Sequence, residues 1–287
     1  MAKTMRKPEL LMVSRFLRSP SQGLHRITYT RSLETLAFEE VRASPERPDN
    51  NFTAFVLHGL FGSVRTWRSF SRTLASYLSN SSPYSNWRMV LVDLRNHGRS
   101  AEIEGLNPPH DMANAAKDLA DLIKSQGLAW PDVVLGHSMG GKVALQFAES
   151  CALGYYGESA QLPKQKWLMD QMSRLGFSKS LSHWIGSNLK NSGEHETWAF
   201  NLEVETDYWP LLEHPPKEME VAIVRAEKSD RWDVDVIQRL EHLASWRSGA
   251  SEGKVSVHVL PNSGHWVHVD NPKGLLEIVA PRIASIA

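Results

Sequence analysis

Cysteine is almost absent. Cys151 is the single one in 287 residues, so no intramolecular disulfide can form, which fits a reducing compartment. No charge of either sign is in excess. Lys plus Arg number 32, Asp plus Glu number 32, and the formal net charge is zero. Nucleic-acid binders carry a basic surplus, so no nucleic-acid partner is expected. No apolar run approaches the roughly 18 residues that span a bilayer, so no transmembrane segment is expected. The 12 histidines show no metal-binding spacing. His195-Glu196 lacks the second histidine of a zinc helix, and no metal site is expected. Acids are scarce at the N-terminus. From Met1 to Arg31 the single acid is Glu9, against Lys3, Arg6, Lys7, Arg15, Arg18, Arg26 and Arg31.

That leader also carries Leu10, Leu11, Met12, Val13, Phe16 and Leu17, which would share one face of a short basic helix. This is the composition of a transit peptide for mitochondrion or chloroplast. The other reading of residues 1–32 is a disordered basic tail on a cytoplasmic protein. The remainder, 33–287, is 255 positions of ordinary composition, and the whole chain is 41% hydrophobic and 22% charged. A sheet domain with a helical insertion reaches this length as one unit.

Short apolar runs alternate with amphipathic stretches. Residues 53–57, 89–94 and 132–135 are β-rich and each ends in a turn signal, as buried parallel strands do. Helices are expected at about 66–79, 111–126 and 139–150, and an edge strand at 34–43. Strands at 220–226 and 254–260 follow, with helices near 231–247 and 272–286. Such alternation implies a mostly parallel sheet flanked by helices. Residues 155–216 are rich in Trp, Ser, Lys and Glu and read as a helical cap.

Gly136-His137-Ser138-Met139-Gly140 fits G-x-S-x-G between an apolar strand and a helix. A tight strand-to-helix turn there exposes the serine Oγ, and glycines two residues either side avoid a clash. Ser138 is therefore the expected nucleophile. His58-Gly59-Leu60-Phe61-Gly62 follows an earlier strand and suits an oxyanion loop. The candidate donors are the backbone N–H groups of Leu60 and Met139. His58 reads as structural, and Asp93, Arg95 and His97 as organisers of the turn 93–100. His265 leaves the strand 254–260 in Pro261-Asn262-Ser263-Gly264-His265-Trp266, late in the chain, where the order Ser, acid, His puts the base. His268 is its nearest competitor. Asp230, 35 residues before His265, is the candidate acid. Its other reading is a cap for the helix near 231–247, with Asp233 and Asp235 inside that helix. Asp170 is the alternative acid. Trp167, Trp184, Trp198 and Trp209 either line an apolar acyl pocket or pack the cap on the sheet.

Together, His58-Gly59-Leu60-Phe61-Gly62-Ser63, Asp93-Leu94-Arg95-Asn96-His97-Gly98, Gly136-His137-Ser138-Met139-Gly140-Gly141-Lys142 and Gly264-His265-Trp266 resemble the alpha/beta hydrolase domain-containing protein 11 group. The resemblance covers about 35–151 and 217–287. It implies an α/β-hydrolase fold and a serine esterase that cleaves esters or thioesters of small acyl substrates through a Ser-His-Asp triad and an acyl-enzyme. It implies no cofactor. The group includes bacterial esterases and organellar proteins. Oligomeric state stays open.

The chain departs from the group between 152 and 216. There the group has a further parallel strand ending in Asp, the acid in some members, whereas here only 166–169 is strand-like, just before Asp170. Trp167, Leu168, Gln171, Met172 and Leu175 equally suit the start of a cap helix. The shortened cap points to an internal deletion. A lost interior strand would leave unpaired ladder groups at about 1–3 kcal/mol each when buried. Either 165–170 fills the gap, or the chain is unstable or is a catalytically impaired member of the fold acting as a ligand receptor or regulatory partner.

Overall fold

The computed structural model describes residues 28–30, 35–43, 51–82, 85–103, 105–157, 165–169, 189–191, 196–198, 208–216, 219–230, 232–245 and 253–286. The basic leader up to residue 27 lies outside the described residues. So do Trp184 and most of the segment 158–207, Asp170 included.

The β-rich runs become strands and the amphipathic stretches become helices. In chain order they are β1 (Thr28–Thr30), β2 (Phe38–Arg42), β3 (Asn51–Leu57), α1 (Val64–Ser81), β4 (Asn86–Val92), α2 (Met112–Gln126), β5 (Val133–Gly136) and α3 (Met139–Ala152). Then come β6 (Gln165–Met169), β7 (Leu189–Asn191), β8 (Glu196–Trp198), α4 (Trp209–Glu213), β9 (Glu220–Ala226), α5 (Val234–Ser245), β10 (Lys254–Leu260), α6 (Val267–Asp270) and α7 (Pro272–Ala284). Eight strands form one sheet in the order β1-β2-β4-β3-β5-β6-β9-β10. The pairs β1–β2 and β2–β4 are antiparallel and every pair from β4 to β10 is parallel. The edge position expected for 34–43 thus belongs to β1, and β2 lies one strand inside.

Successive residues of a strand point to opposite faces, and β3 and β4 are apolar on both. Ala54, Val56, Met89 and Leu91 pack with Trp67, Leu74 and Leu78 of α1 and Leu275, Val279 and Ile283 of α7. Phe55, Leu57, Val90 and Val92 pack with Leu119 and Ile123 of α2 and Val143 and Phe147 of α3. Helices on both faces explain why these strands read as unbroken apolar runs rather than alternating ones.

The segment expected to be a helical cap is different where it is described. It contributes β6 to the main sheet, a two-stranded antiparallel ribbon β7–β8, and one short helix, α4. β6 pairs in parallel with β5 through Val133↔Gln165, Val134↔Lys166 and Leu135↔Trp167, and with β9 through Lys166↔Val221 and Trp167↔Ala222. The helical spacing around Trp167 lost to the open ladder between β5 and β9. A strand there gives both neighbours hydrogen-bond partners, which a cap helix starting at the same residues cannot do.

Candidate active site

The described functional candidates lie past the C-terminal ends of parallel strands, where open α/β sheets place their ligands. The loop 58–62 follows β3, the turn 93–100 follows β4, Ser138 follows β5, Asp230 follows β9 and His265 follows β10.

Ser138 stands between β5 and α3 with φ 55° and ψ −119°. A non-glycine residue at positive φ is strained by about 1–3 kcal/mol. It is held there by packing that only glycine permits. A Cβ on Gly140 would sit 2.5 Å from the carbonyl oxygens of Leu57 and His58, and one on Gly136 would sit 2.6 Å from the Gly141 Cα. Ser138 is the N-cap of α3 but its side chain makes no capping bond. Its buried Oγ has no hydrogen-bond partner among the described residues. The hydroxyl is thus uncommitted to the fold.

The loop after β3 lies against this serine. A Cβ on Gly59 would be 3.2 Å from the Ser138 Cβ and 2.7 Å from the His137 Nδ1. The loop closes through Gly62 N–H to the Gly59 carbonyl at 2.9 Å, a bond that does not use the Leu60 N–H. Met139 opens α3, and a first-turn N–H has no acceptor within its helix. Gly140 and Gly141 N–H are already taken by the carbonyls of His137 and Ser138 at 2.9 Å each.

His58 holds the loop from below. Its Nε2 accepts the Leu94 N–H at 3.0 Å and its Nδ1 donates to the Gly59 carbonyl at 2.7 Å. Both bonds require the neutral ring, and burial lowers its pKa to about 4. His58 is structural, as expected. Asp93 is 1% exposed. It accepts the Val64 N–H at the start of α1 at 2.8 Å and the Arg99 N–H at 3.1 Å. Ser63, the N-cap of α1, makes no side-chain cap bond, so Asp93 caps that helix from another loop. Arg95 forks onto Asp118 of α2 at 2.6 and 2.8 Å and donates to the Pro109 carbonyl at 2.7 Å. Burial nonetheless raises the Asp118 pKa. His97 donates from Nδ1 to the Arg95 carbonyl at 2.8 Å, and burial lowers its pKa to about 3. These residues organise the turn.

His265 is half-buried. Its carbonyl accepts the His137 Nε2–H at 3.0 Å, which ties its loop to the residue preceding Ser138. The next bond back, Gly264 N–H to Asp270 at 2.9 Å, folds the loop onto α6. His268, its competitor, packs on α1. It is 8% exposed and stacks on Trp67 of α1 at 4.2 Å between ring centroids. Burial, then the charges of His137 and His265, lowers its pKa to about 3.

Asp230 is exposed. Its loop is bonded to the histidine loop by Lys228 N–H to the Ser263 carbonyl at 2.9 Å and Asn262 N–H to Glu227 at 2.8 Å. α5 starts at Val234, so Asp230 is not its cap. Asp233 precedes that helix rather than lying within it, and Asp235 is in its first turn. Of the tryptophans, Trp209 is half-buried and carries the Arg239 guanidinium 4.1 Å above its ring, a packing role. Among the described residues no group of three or more His, Cys, Asp or Glu could hold a metal, and no helix is long and apolar enough to cross a membrane.

Sequence reasoning passed over His137, Trp67 and Asp270. His137 was legible only as an unspecified residue of the motif, and its partner His265, like the His268 that stacks on Trp67, comes from a distant part of the chain.

A mostly parallel sheet, a serine on a strained strand-to-helix turn and a late histidine loop at the strands' C-terminal ends together define a hydrolase-type α/β architecture. The chain belongs to the alpha/beta hydrolase family, whose model matches residues 54–278. It is similar to the sn-1-specific diacylglycerol lipase ABHD11 of Mus musculus, 23% identical over 79% of this chain and 80% of that protein. It is also similar to Esterase YbfF of Escherichia coli, 25% identical over 83% of this chain and 96% of that protein. Among solved structures, a marine microorganism esterase superposes with a TM-score of 0.54 at 18% identity, over 86% of this chain and 99% of that one. A bacterial membrane phospholipase A superposes with a TM-score of 0.61 at 14% identity, over 91% and 86%. The structural likenesses speak for the fold alone.

Proposed function

We propose that the chain is a serine hydrolase cleaving carboxylic ester, or thioester, bonds of small acyl substrates. The observation that carries this is Ser138 itself: buried, strained at positive φ, its Oγ outside the fold's own hydrogen bonding, with the Gly59 loop against it. Ser138 Oγ attacks the acyl carbon while its proton passes to His265. The N–H groups of Leu60 and Met139 receive the oxyanion. His265 then protonates the leaving alcohol or thiol, the acyl group stays on Ser138, and water activated by the same imidazole releases it as the acid. Asp230 orients the imidazole, and Asp170 is the other candidate for that place. The esterase and lipase names of the relatives support the reaction class.

The test is a fluorophosphonate probe on the purified chain, with mass spectrometry to locate the adduct. Phosphonylation of Ser138, absent in Ser138→Ala, is the expected result, with esterase turnover lowered about 10⁴-fold or more by the substitution. No adduct on a protein that circular dichroism shows to be folded would overturn the reading and favour a ligand receptor of the same fold.

A further inference from the structure

His137 occupies the x position of the serine motif, where the motif itself asks for no particular side chain. Its residue is nevertheless 1% exposed and its ring sits at a junction. The Nε2–H donates to the His265 carbonyl at 3.0 Å. The opposite edge faces the oxyanion loop, where a Cβ on Gly59 would come within 2.7 Å of Nδ1. Trp67 lies tilted beside the ring at 5.6 Å and His268 edge-on to it at 5.4 Å between centroids, and these two stack on each other at 4.2 Å. One imidazole, covalently next to the nucleophile, thus touches both the loop that carries the base and the loop that carries an oxyanion donor.

We propose that His137 is a positioning residue that sets the His265 loop and the Leu60 N–H relative to Ser138; this rests on the hydrolase reading above. The hydrogen bond is directional, so it fixes the height of the His265 backbone over the elbow. The Trp67–His268 stack packs beside the ring and limits its rotation. A displacement of about 1 Å between reacting groups can cost about 10²-fold in rate. A ring that only filled space would be replaceable by any ring of its size.

The experiment compares His137→Phe, which keeps a ring and loses the donor, with His137→Gln, which keeps an N–H donor. Turnover of p-nitrophenyl butyrate by the full chain is measured beside thermal unfolding. His137→Phe is expected to lower kcat by about 10- to 100-fold with KM changed less than threefold, and His137→Gln to recover most of kcat. Equal kcat in wild type and His137→Phe, or equal loss in both variants, overturns the proposal. If His137→Phe does not fold, proton NMR of the wild type decides. A slowly exchanging downfield imidazole N–H, missing from His137→Gln, is expected, and its absence from the folded wild type overturns the linkage. Wild-type turnover that survives Ser138→Ala would instead overturn the hydrolase reading, and the NMR signal still tests the His137 bond.

Discussion

At the scale of the residue, the strained serine of the strand-to-helix turn and the histidine loop after β10 are legible in the sequence, and the partner of that histidine is not. Ser138 is announced by glycines whose spacing reflects a local clash, and His265 by its place after a strand. The acid depends on which loop the fold brings up to the imidazole. The pairing of β9 with β10 carries Asp230 to the right end of the sheet, and the Lys228–Ser263 bond joins the two loops. The exposure of Asp230 leaves Asp170, one residue beyond β6, as a serious competitor. Substitution separates them. Asp230→Asn is expected to lower kcat by up to about 10⁴-fold, the loss when a triad Asp becomes its amide, and Asp170→Asn by less than tenfold. The reverse ranking in steady-state kinetics would move the acid to the residue after β6. The turn 93–100 teaches a related lesson. Its polar residues are visible in sequence, but that Asp93 caps α1 from a distance is not, because the N-cap position, Ser63, looks adequate by itself.

At the scale of the element, strand and helix types outside 155–216 follow the sequence closely. β9 and β10 fall at 220–226 and 254–260, and α1, α2 and α3 lie within two residues of their expected ends. Both faces of the sheet are covered, so the strands read as apolar runs and the helices as amphipathic ones, with little to confuse them. Within 155–216 local pattern and tertiary demand compete. Residues 165–169 carry a helix-compatible spacing and become β6, because β5 and β9 each present a ladder to be completed. Lys166→Pro tests this. Proline removes the residue's N–H from an interior ladder, and the orphaned carbonyl alone costs about 1–3 kcal/mol. A fall in Tm of several degrees is expected, since about 1 kcal/mol moves Tm by roughly 2–4 °C in a domain of this size. An unchanged Tm in scanning calorimetry would put 165–169 outside the sheet.

At the scale of the whole molecule, five imidazoles sit in the segments that follow β3, β4, β5 and β10. His97 and His58 are 5.2 Å apart between centroids, His137 lies 5.1 Å from His265 and 5.4 Å from His268. Three of them are buried enough to stay neutral well below ordinary histidine behaviour: His58 to about 4, His97 to about 3 and His268 to about 3, from 6.5. At neutral pH His265 therefore has no permanent cation among these three. The linkage has a definite sign. Well above pH 6.5 folded and unfolded chains both hold the three rings neutral, and the rings add little pH dependence. As pH falls below 6.5 the unfolded chain binds protons that the folded chain refuses, so stability drops until the folded pKa values are reached. One pKa unit is worth about 1.4 kcal/mol per group, so three groups acting together steepen the loss to about 4 kcal/mol per pH unit between pH 6 and pH 4. That loss is of the same order as a total stability of about 5–15 kcal/mol, so acid is expected to destabilise the protein strongly. Urea unfolding at pH 7.5, 6.5, 5.5 and 5.0 should give a shallow fall of about 1 kcal/mol over the first two points and a steep fall over the last two. His268→Phe, which keeps a ring against Trp67, should flatten that fall by about a third, because it removes one of three refused protons. A free energy that does not change from pH 7.5 to 5.0 would mean that these rings are open to solvent.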